Sequence, residues 1–414
     1  MNRPKPSDIL PEPPIELKQH SGRLLNRILK RISGEGPISF AAFMEMALYE
    51  PGLGYYSAGL HKFGLEGDFV TAPELGDLFA ACLARQIAEV QDQLGACDIL
   101  EIGAGSGKLA AQLLRQLAKS SATRPSPCRS YKILERSADL RAVQKQTIEA
   151  GVPEHADRVE WQDRPPSRPW QGVIVANEVV DALAVERFCI KGGGIRQICV
   201  AEEGGSLKFT DRAAKPELEA AVRKLGPLPD GYRSEVNLHL AAWLESVTST
   251  LQQGVALFVD YGYPRSEYYL AERIDGTLLA NYRHRAHGDL LRHPGLQDLT
   301  AFVDFTALAE AGRVAGLELH GYTSQALFLM ACGLDEVVQA RLSGDAERDM
   351  AVNNEVRQLI LPGLMGEKFQ VMALGRNWPE TAPLRGFSFR DLRDRLQERL
   401  QPRRSRRGRR SYKE

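Results

Sequence analysis

The stretch Asp98-Ile-Leu-Glu-Ile-Gly-Ala-Gly-Ser-Gly107 decides the fold of this chain. Its first five residues are apolar apart from Asp98 and Glu101 and predict a short buried strand. Glycines at every second position, Gly103, Gly105 and Gly107, then end the strand, and the residues up to 119 place leucines at helical spacing. A strand, a glycine turn and a helix in this order predict the ligand-binding end of a doubly wound α/β sheet.

Counting positions excludes a phosphate-binding loop and weakens a dinucleotide site. The phosphate-binding loop needs glycine and a hydroxyl residue where the chain has Ile102 and Leu109. The dinucleotide fingerprint needs a small residue where Lys108 stands, so a nicotinamide-dependent oxidoreductase remains only as an alternative. The pattern that is left, Glu101-x-Gly103-x-Gly105-x-Gly107, resembles the first motif of class I methyltransferases that use S-adenosyl-L-methionine (SAM). An acidic group and open backbone suit the amino-acid end of that cofactor.

Alternating strand and helix patterns around this stretch predict a parallel sheet interrupted by an insertion between its fourth and fifth strands. The last two strands, near residues 317–323 and 369–374, are expected to pair antiparallel. The predicted parts are an N-terminal extension and helical cap at 1–75, the first part of the core at 76–183, the insertion of hairpin and helices at 184–253, the second part of the core at 254–378, and a basic, disordered tail at 379–414.

Polar residues at the carboxyl ends of the predicted strands are the candidate cofactor contacts, because open α/β sheets bind ligands there. Glu135 ends the second strand and can accept both ribose hydroxyls of an adenosine, although a solvated glutamate would look the same. Asp163 follows the third strand, where its carboxylate can meet the adenine amine or belong to an ordinary loop. Asn177 ends the fourth strand, under the expected position of the sulfonium.

Three carboxylates near the ends of the fourth and fifth strands, Glu178, Asp181 and Asp260, are the catalytic candidates. Methyl transfer mainly requires a nucleophile positioned against the methyl carbon. If that nucleophile is a guanidinium nitrogen, carboxylates are needed to hold the planar group and to localise its charge. Asp181 has an alternative role as the N-cap of a helix.

Charge and composition narrow the class of protein and its surroundings. From Glu398 onward, eight Lys or Arg face two Glu, so the tail carries +6 and the rest of the chain −6. This acidic body does not favour nucleic acid as a partner. The six cysteines form no C-x-x-C pair, His284, His287, Asp289 and His293 lie in no helix or strand frame that fixes a metal site, and no metal is expected. The polar N-terminus and the lack of a long apolar run predict a cytoplasmic protein without signal peptide or membrane insertion.

Several blocks together resemble the MidA family of SAM-dependent methyltransferases. These blocks are Tyr49-Glu-Pro-Gly-Leu-Gly-Tyr-Tyr56, Gly67-Asp-Phe-Val-Thr-Ala-Pro-Glu74, Glu101 to Gly107, Asn177-Glu-Val-Val-Asp-Ala-Leu183, Val259-Asp-Tyr-Gly262 and Gln297 to Thr306. The resemblance covers about residues 20–375 in order. One departure is Ala184, where the family usually has proline.

The resemblance implies a class I, Rossmann-type methyltransferase core with an N-terminal helical cap. It also implies that the segment from Gly67 to Glu74, including Asp68 and Thr71, closes over SAM. Mitochondrial members of the family include a complex I assembly factor that dimethylates an arginine. The implied activity is therefore protein arginine N-methylation, with a complex I core subunit as the candidate partner. A SAM-binding assembly factor without turnover is a further alternative.

Overall fold

The computed structural model of the chain describes residues 10–59, 71–121 and 128–397. The helices are α1 (Ile15–Glu35), α2 (Phe40–Tyr49), α3 (Ala72–Leu75), α4 (Leu78–Leu94), α5 (Lys108–Ser121), α6 (Ala138–Gly151), α7 (Pro216–Arg223), α8 (Leu240–Thr248), α9 (Arg265–Tyr268), α10 (Phe305–Val314), α11 (Gln325–Ala331), α12 (Leu334–Gln339), α13 (Ala346–Ile360), α14 (Met365–Lys368) and α15 (Asp394–Gln397). The strands are β1 (Ile38–Ser39), β2 (Cys97–Ile102), β3 (Cys128–Leu134), β4 (Val159–Gln162), β5 (Trp170–Asn177), β6 (Glu186–Lys191), β7 (Gly194–Glu203), β8 (Ser206–Ala213), β9 (Arg233–Val236), β10 (Leu251–Tyr263), β11 (Leu279–Tyr282), β12 (Arg285–His287), β13 (Asp298–Thr300), β14 (Val303–Asp304), β15 (Glu318–Ser324) and β16 (Phe369–Arg376).

The central sheet has the order β15-β16-β10-β5-β2-β3-β4, with β14 beside the end of β10. Strands β2, β3, β4, β5 and β10 run parallel, and β16 is antiparallel to both β10 and β15. The predicted parallel core with two final antiparallel strands is therefore confirmed. The strand order reverses between β2 and β5, so the crevice that binds ligands in this kind of sheet opens above that pair.

Both faces of the sheet are covered by helices. Successive side chains of a strand point to opposite faces, and in the central strands both sets of side chains are apolar. Val173 and Val175 of β5 pack on the side of α4 and α5. Ile174 and Ala176 pack on the side of α8 and α10. In register, Asn177 at the end of β5 lies beside Val259 of β10, which brings the carboxyl ends of these two strands together.

The insertion between β5 and β10, the fourth and fifth strands of the core, forms a second sheet. Strand β1 of the N-terminal segment joins this sheet, whose order is β1-β7-β6-β9, with β8 also paired to β7. The predicted hairpin is β6 and β7. The predicted helices of the insertion include α7 and α8, and α8 begins at Leu240 after the chain has formed β9.

The N-terminal helices form a cap that packs away from the central sheet. Leu24, Ile28 and Phe43 share a buried cluster with Leu278 and Leu299, which lie far along the chain. Ser21 Oγ donates a hydrogen bond to the carbonyl of Pro294 at 2.9 Å and so fixes α1 to this region. Among the residues that the structure describes, no helix combines the length and apolarity that a membrane crossing requires.

The chain continues to pack against the core beyond residue 378, where the disordered tail was expected to begin. Leu384 and Phe387 are buried in the same cluster as α4, and Leu396 of α15 is buried on the other face of the sheet. The expected start of the tail is therefore too early, because apolar residues spaced among polar ones still reach the core. The basic residues from 398 onward lie outside the described residues.

Candidate active site

A cavity of about 1100 Å³ opens at the carboxyl ends of the central strands. Its floor comes from the turns that follow β2, β3 and β5, where the strand order reverses. Open α/β sheets bind their ligands at this point. The cavity therefore lies where the strand-end residues were expected to converge.

The glycine turn after β2 supplies exposed backbone to this cavity. Gly103 has φ +65° and Gly105 has φ +53°, both in the left-handed region that favours glycine, and both line the cavity. A Cβ on Gly103 would lie 3.2 Å from Cγ2 of Val179. A side chain here would thus occupy the space that the turn leaves open.

Gly107 was expected at the cofactor site, but the structure gives it a packing role. It has φ +82°, and a Cβ on it would lie 2.9 Å from Cα of Gln144 in α6. It is not among the described residues that line the cavity. The third glycine is needed because α6 passes directly against the turn.

Two acidic residues expected at the cofactor site do line the cavity, and each is held by hydrogen bonds. The Tyr131 hydroxyl donates to Glu101 Oε2 at 2.7 Å, while burial raises the pKa of Glu101 to about 7. Glu135 lies directly after β3 and accepts from the backbone N–H of Ser137 at 2.8 Å and from Gln144 Nε2 at 3.1 Å. These bonds fix both carboxyl groups in the cavity wall.

Three other expected cofactor contacts have different outcomes. Thr71 lines the cavity at the start of α3. Asp163, just beyond β4, does not line it, because β4 is at the edge of the sheet and away from the crevice. Gly67 and Asp68 lie outside the described residues.

Asn177 and Glu178 line the cavity where the chain turns sharply after β5. We call residues 177–181 the corner. Asn177 Nδ2 donates to Glu178 Oε1 at 3.3 Å, and Asn177 Oδ1 is buried without a hydrogen-bond partner among the described residues. Such an orphan acceptor fits a ligand that brings its own donor. Glu178 has φ +52°, an uncommon backbone conformation for a residue other than glycine, and burial with the nearby Asp181 raises its pKa to about 8.

Asp181 and Asp260, predicted to be catalytic, do not line the cavity. Asp260 Oδ2 accepts from the N–H groups of Val179, Val180 and Asp181 at 3.2, 3.0 and 3.2 Å. Asp181 accepts a hydrogen bond from the Tyr261 hydroxyl, and burial raises its pKa to about 6. The Asp260 carboxylate thus faces the backbone of the corner, whereas Asp181 Oδ1 is buried without a hydrogen-bond partner among the described residues. Because neither residue lines the cavity, we interpret both as positioning residues. The described residues directly after Asp181 form a turn and then β6, so the N-cap alternative does not apply either.

A pair of tyrosines near the end of α2 lines the same cavity as Glu178 and was not predicted from the sequence. Tyr49 and Tyr56 both line the cavity, and their rings stack with centroids 5.6 Å apart and planes at 20°. The Tyr56 hydroxyl donates to Asp298 Oδ1 at 3.0 Å, and the Tyr49 hydroxyl donates to the carbonyl of Ala182 at 3.0 Å. The sequence shows that residues 49–56 are rich in aromatic and turn-forming residues. It does not show where the aromatic rings point.

Glu74 was also missed as a site residue. It follows the start of α3, and its side chain is only 5% exposed although it also lines the cavity. It accepts from Ser106 Oγ at 2.5 Å and forms an ion pair with Lys108. This carboxylate ties the short helix α3 to the glycine turn.

The charges acting on the tyrosine end of the cavity are negative. Burial raises the pKa of Tyr49, and the carboxylates of Glu45 and Asp298 raise it further. Burial and Asp298 act on Tyr56 in the same direction. This end of the cavity therefore favours a cationic group. Among the described residues, no three His, Cys, Asp or Glu side chains converge in a way that would hold a metal ion.

Residues 82–323 match the model of the Methyltransf_28 family, which is described as S-adenosyl-L-methionine-dependent methyltransferase. The match spans more than half of the chain. The protein therefore belongs to this family, and the class predicted from the glycine turn and the MidA-type blocks is confirmed. The oxidoreductase alternative is set aside by the same finding.

Solved structures and curated proteins agree with this class. A COG1565 superfamily member from Burkholderia thailandensis, bound to S-adenosyl-homocysteine, is 41% identical, with a TM-score of 0.88, 92% of this chain covered and 99% of that one. The mitochondrial protein arginine methyltransferase NDUFAF7 of Danio rerio is 28% identical over 85% of this chain and 86% of its own length. Its human counterpart is 28% identical over 85% and 83%. The predicted cofactor, SAM, is thus confirmed.

The names of these relatives contradict the expected cytoplasmic location. The curated relatives just described are mitochondrial proteins by name. The inference of a cytoplasmic protein, drawn from a polar N-terminus, is therefore contradicted. Composition at the start of a chain is weak information about location.

Proposed function

We propose that the protein methylates an arginine side chain of a protein substrate, with SAM as methyl donor. The observation that carries this proposal is the placement of Glu178. This partly buried carboxylic acid lines the same cavity as the glycine turn and the stacked tyrosines, and the charges of Asp181 and Asp298 act on it. A guanidinium needs a carboxylate partner of this kind and benefits from flat aromatic neighbours.

The described residues that would hold SAM are Thr71, Glu101, Gly103, Gly105, Glu135 and Asn177, which line the cavity together. The cofactor supplies a methyl group on a positively charged sulfonium. The open backbone of the turn and the orphan oxygen of Asn177 fit a ligand with an amino-acid end. Glu101 and Glu135 add fixed acceptors on either side of the turn.

Glu178 has two roles in the proposed reaction. As a carboxylate it holds the guanidinium through charge-assisted hydrogen bonds and keeps the attacking nitrogen in place. Without a ligand its pKa is about 8, so it is largely protonated at neutral pH. A guanidinium beside it favours the ionised carboxylate, which can then accept the proton that the attacking nitrogen loses as the bond between sulfur and the methyl carbon breaks. Tyr49 and Tyr56 supply the aromatic wall.

The name of the relatives, protein arginine methyltransferase, supports arginine as the acceptor. We further propose a respiratory complex I core subunit as the natural substrate, on the MidA-family resemblance of the sequence. The acidic tyrosine end of the cavity is consistent with a cationic acceptor, whichever protein carries it.

The test is methyl transfer from isotope-labelled SAM to purified complex I core subunits, followed by mass spectrometry of the labelled residue. Wild-type protein should label arginine. Glu178→Gln should bind S-adenosyl-homocysteine as before but lose about 10²- to 10⁴-fold in rate, the usual contribution of a positioned acid or base. Glu154→Gln, at an exposed glutamate outside the cavity, is the matched control and should keep full activity.

Two results would overturn the proposal. Label on a residue other than arginine would refute the acceptor class. Cofactor binding without transfer to any of the subunits would favour the alternative of an assembly factor without turnover.

A further inference from the structure

A further region of the cavity wall is formed by residues outside the glycine turn, the strand ends and the tyrosine pair. We call this region the far half and define it by the described residues Ala42, Glu45, Glu186, Lys215, His239 and Trp243. These residues come from the N-terminal cap and from the insertion and its flank, and not from the strands of the central sheet. With about 1100 Å³ in total, the cavity is slightly larger than the usual range for small-molecule sites, which leaves room for a second ligand.

The walls of the far half are joined through one sheet. Ile38 and Ser39 of β1 pair with Val200 and Cys199 of β7, and β6 continues along the same side of β7 from the pair of Arg187 with Ile198. The cap strand and the first insertion strand thus lie end to end against β7. Backbone hydrogen bonds thus hold both walls in place, and a protein segment that reaches the cavity past the cap and the insertion would lie between them.

Glu45 lies where the far half meets the stacked tyrosines. It precedes Tyr49 by four residues on α2, so the two side chains share one face of the helix, together with Ala42. Glu45 is exposed and forms no hydrogen bond or ion pair with another described residue, while its charge raises the pKa of the Tyr49 hydroxyl. An unpaired carboxylate at this position is available to a cation next to the reacting residue.

The remaining charged residues make the cap side of this region differ in charge from the insertion side. Arg31 is paired with Glu35 at 3.2 Å, and Glu186 accepts from Gln197 at 3.0 Å. Lys215, before α7, has no such partner among the described residues and would repel a cation on the insertion side. A positive group is therefore favoured beside Glu45.

We infer that the far half receives an extended protein segment, and that Glu45 selects a Lys or Arg beside the acceptor arginine. This inference rests on the proposed function for the acceptor itself. It adds the route of entry and the residue that determines the preference for the flanking sequence.

The experiment uses the full-length protein and a peptide library with a central arginine and three random positions on each side. Isotope-labelled SAM is added, and the labelled peptides are sequenced by mass spectrometry. Wild-type protein should enrich Lys or Arg beside the acceptor. Glu45→Gln should reduce that enrichment about two- to fivefold, as expected for one partly exposed ion pair. Glu16→Gln removes the same charge from an exposed position of α1 outside the cavity and should keep the preference.

Calorimetry with S-adenosyl-homocysteine should give the same affinity for all three proteins, which excludes a general structural effect. An enrichment that survives Glu45→Gln, or a library that wild-type protein does not label, overturns the inference. If label is found on residues other than arginine while the flanking preference still depends on Glu45, the role of the far half is supported. The assignment of arginine as acceptor in the proposed function is then wrong.

Discussion

Among the single residues of the site, Glu178 combines a strained backbone conformation with a raised side-chain pKa. Its φ of +52° costs a residue with a Cβ roughly 1–2 kcal/mol. The three hydrogen bonds from the following N–H groups to Asp260 hold the corner in this conformation. Strain of this kind persists where the surrounding structure fixes it, and it is concentrated at functional sites.

Glu178→Gln should change how stability depends on pH. Burial raises the pKa of Glu178 from 4.5 to about 8, so the folded protein binds this proton more tightly than the unfolded chain does. Its contribution to stability is present below pH 4.5 and is lost as the pH rises toward 8. The free energy of unfolding of wild-type protein should therefore fall more steeply between about pH 5 and 9 than that of Glu178→Gln, as measured by urea titration. Equal slopes for the two proteins would refute the buried, protonated state.

Gly105→Val should prevent cofactor binding. Gly105 has φ +53° and lines the cavity, so valine brings both backbone strain and side-chain volume to the ligand surface. Calorimetry with S-adenosyl-homocysteine should detect no binding. Gly192→Val is the control for strain alone, because Gly192 has φ +58° in the β6–β7 hairpin and a Cβ added to it would have no atom within 4 Å. A folded Gly105→Val protein with unchanged affinity would show that the glycine turn is not the cofactor site.

The sequence predicted which residues lie at the ends of the strands, but not where their side chains point. Glu101, Gly103, Glu135 and Asn177 line one cavity because parallel strands end at one edge of the sheet, and their contacts with the cofactor stay predictions. Asp260 also ends such a strand, yet its carboxylate turns to the N–H groups of the neighbouring corner. Position along the chain does not reveal this choice, which depends on which backbone donors the tertiary fold leaves unpaired.

At the scale of elements, long periodic segments were predicted well and short paired ones were not. The parallel strands and the helices between them follow from their apolar spacing. Strand β1 has only two residues, and it forms because β7, far along the chain, offers it a partner. Strand β9 was missed for the same reason, since its partner β6 lies well before it in the chain. Strand β8 was missed although it forms a local hairpin with β7 around Gly204 and Gly205.

The short helix α3 illustrates an element whose position depends on one side chain. Glu74 contacts both Ser106 and Lys108, which ties α3 to the glycine turn. Glu74→Gln keeps the shape but removes the charge, so S-adenosyl-homocysteine should bind about three- to tenfold more weakly, or ~0.7–1.4 kcal/mol. Glu336→Gln removes an exposed ion pair with Arg85 elsewhere and should leave the affinity unchanged. Equal affinity in both variants would mean that α3 does not support the site.

At the scale of the whole molecule, the cap is part of a core that distant segments complete. Leu24 of α1 is fully buried and shares its cluster with Leu278, Leu290 and Leu299. A separate cluster, which includes Leu113 of α5, packs against the central sheet. The tyrosines of the site belong to the cap side, whereas the glycine turn belongs to the central sheet. The candidate active site therefore lies between two hydrophobic cores.

Leu24→Ala should loosen the cap core and leave the central sheet intact. Removing a fully buried leucine side chain costs about 2–5 kcal/mol, because the contacts are lost and a cavity remains. Backbone hydrogen exchange should accelerate together in α1, α2 and residues 278–301, since segments that share a core open as one unit. Exchange in β2 should stay near the wild-type rate. The matched variant Leu113→Ala, at an equally buried position, should show the opposite pattern. Acceleration confined to α1 in Leu24→Ala would mean that the cap packs as an independent element, and the stacked tyrosines would then need another support.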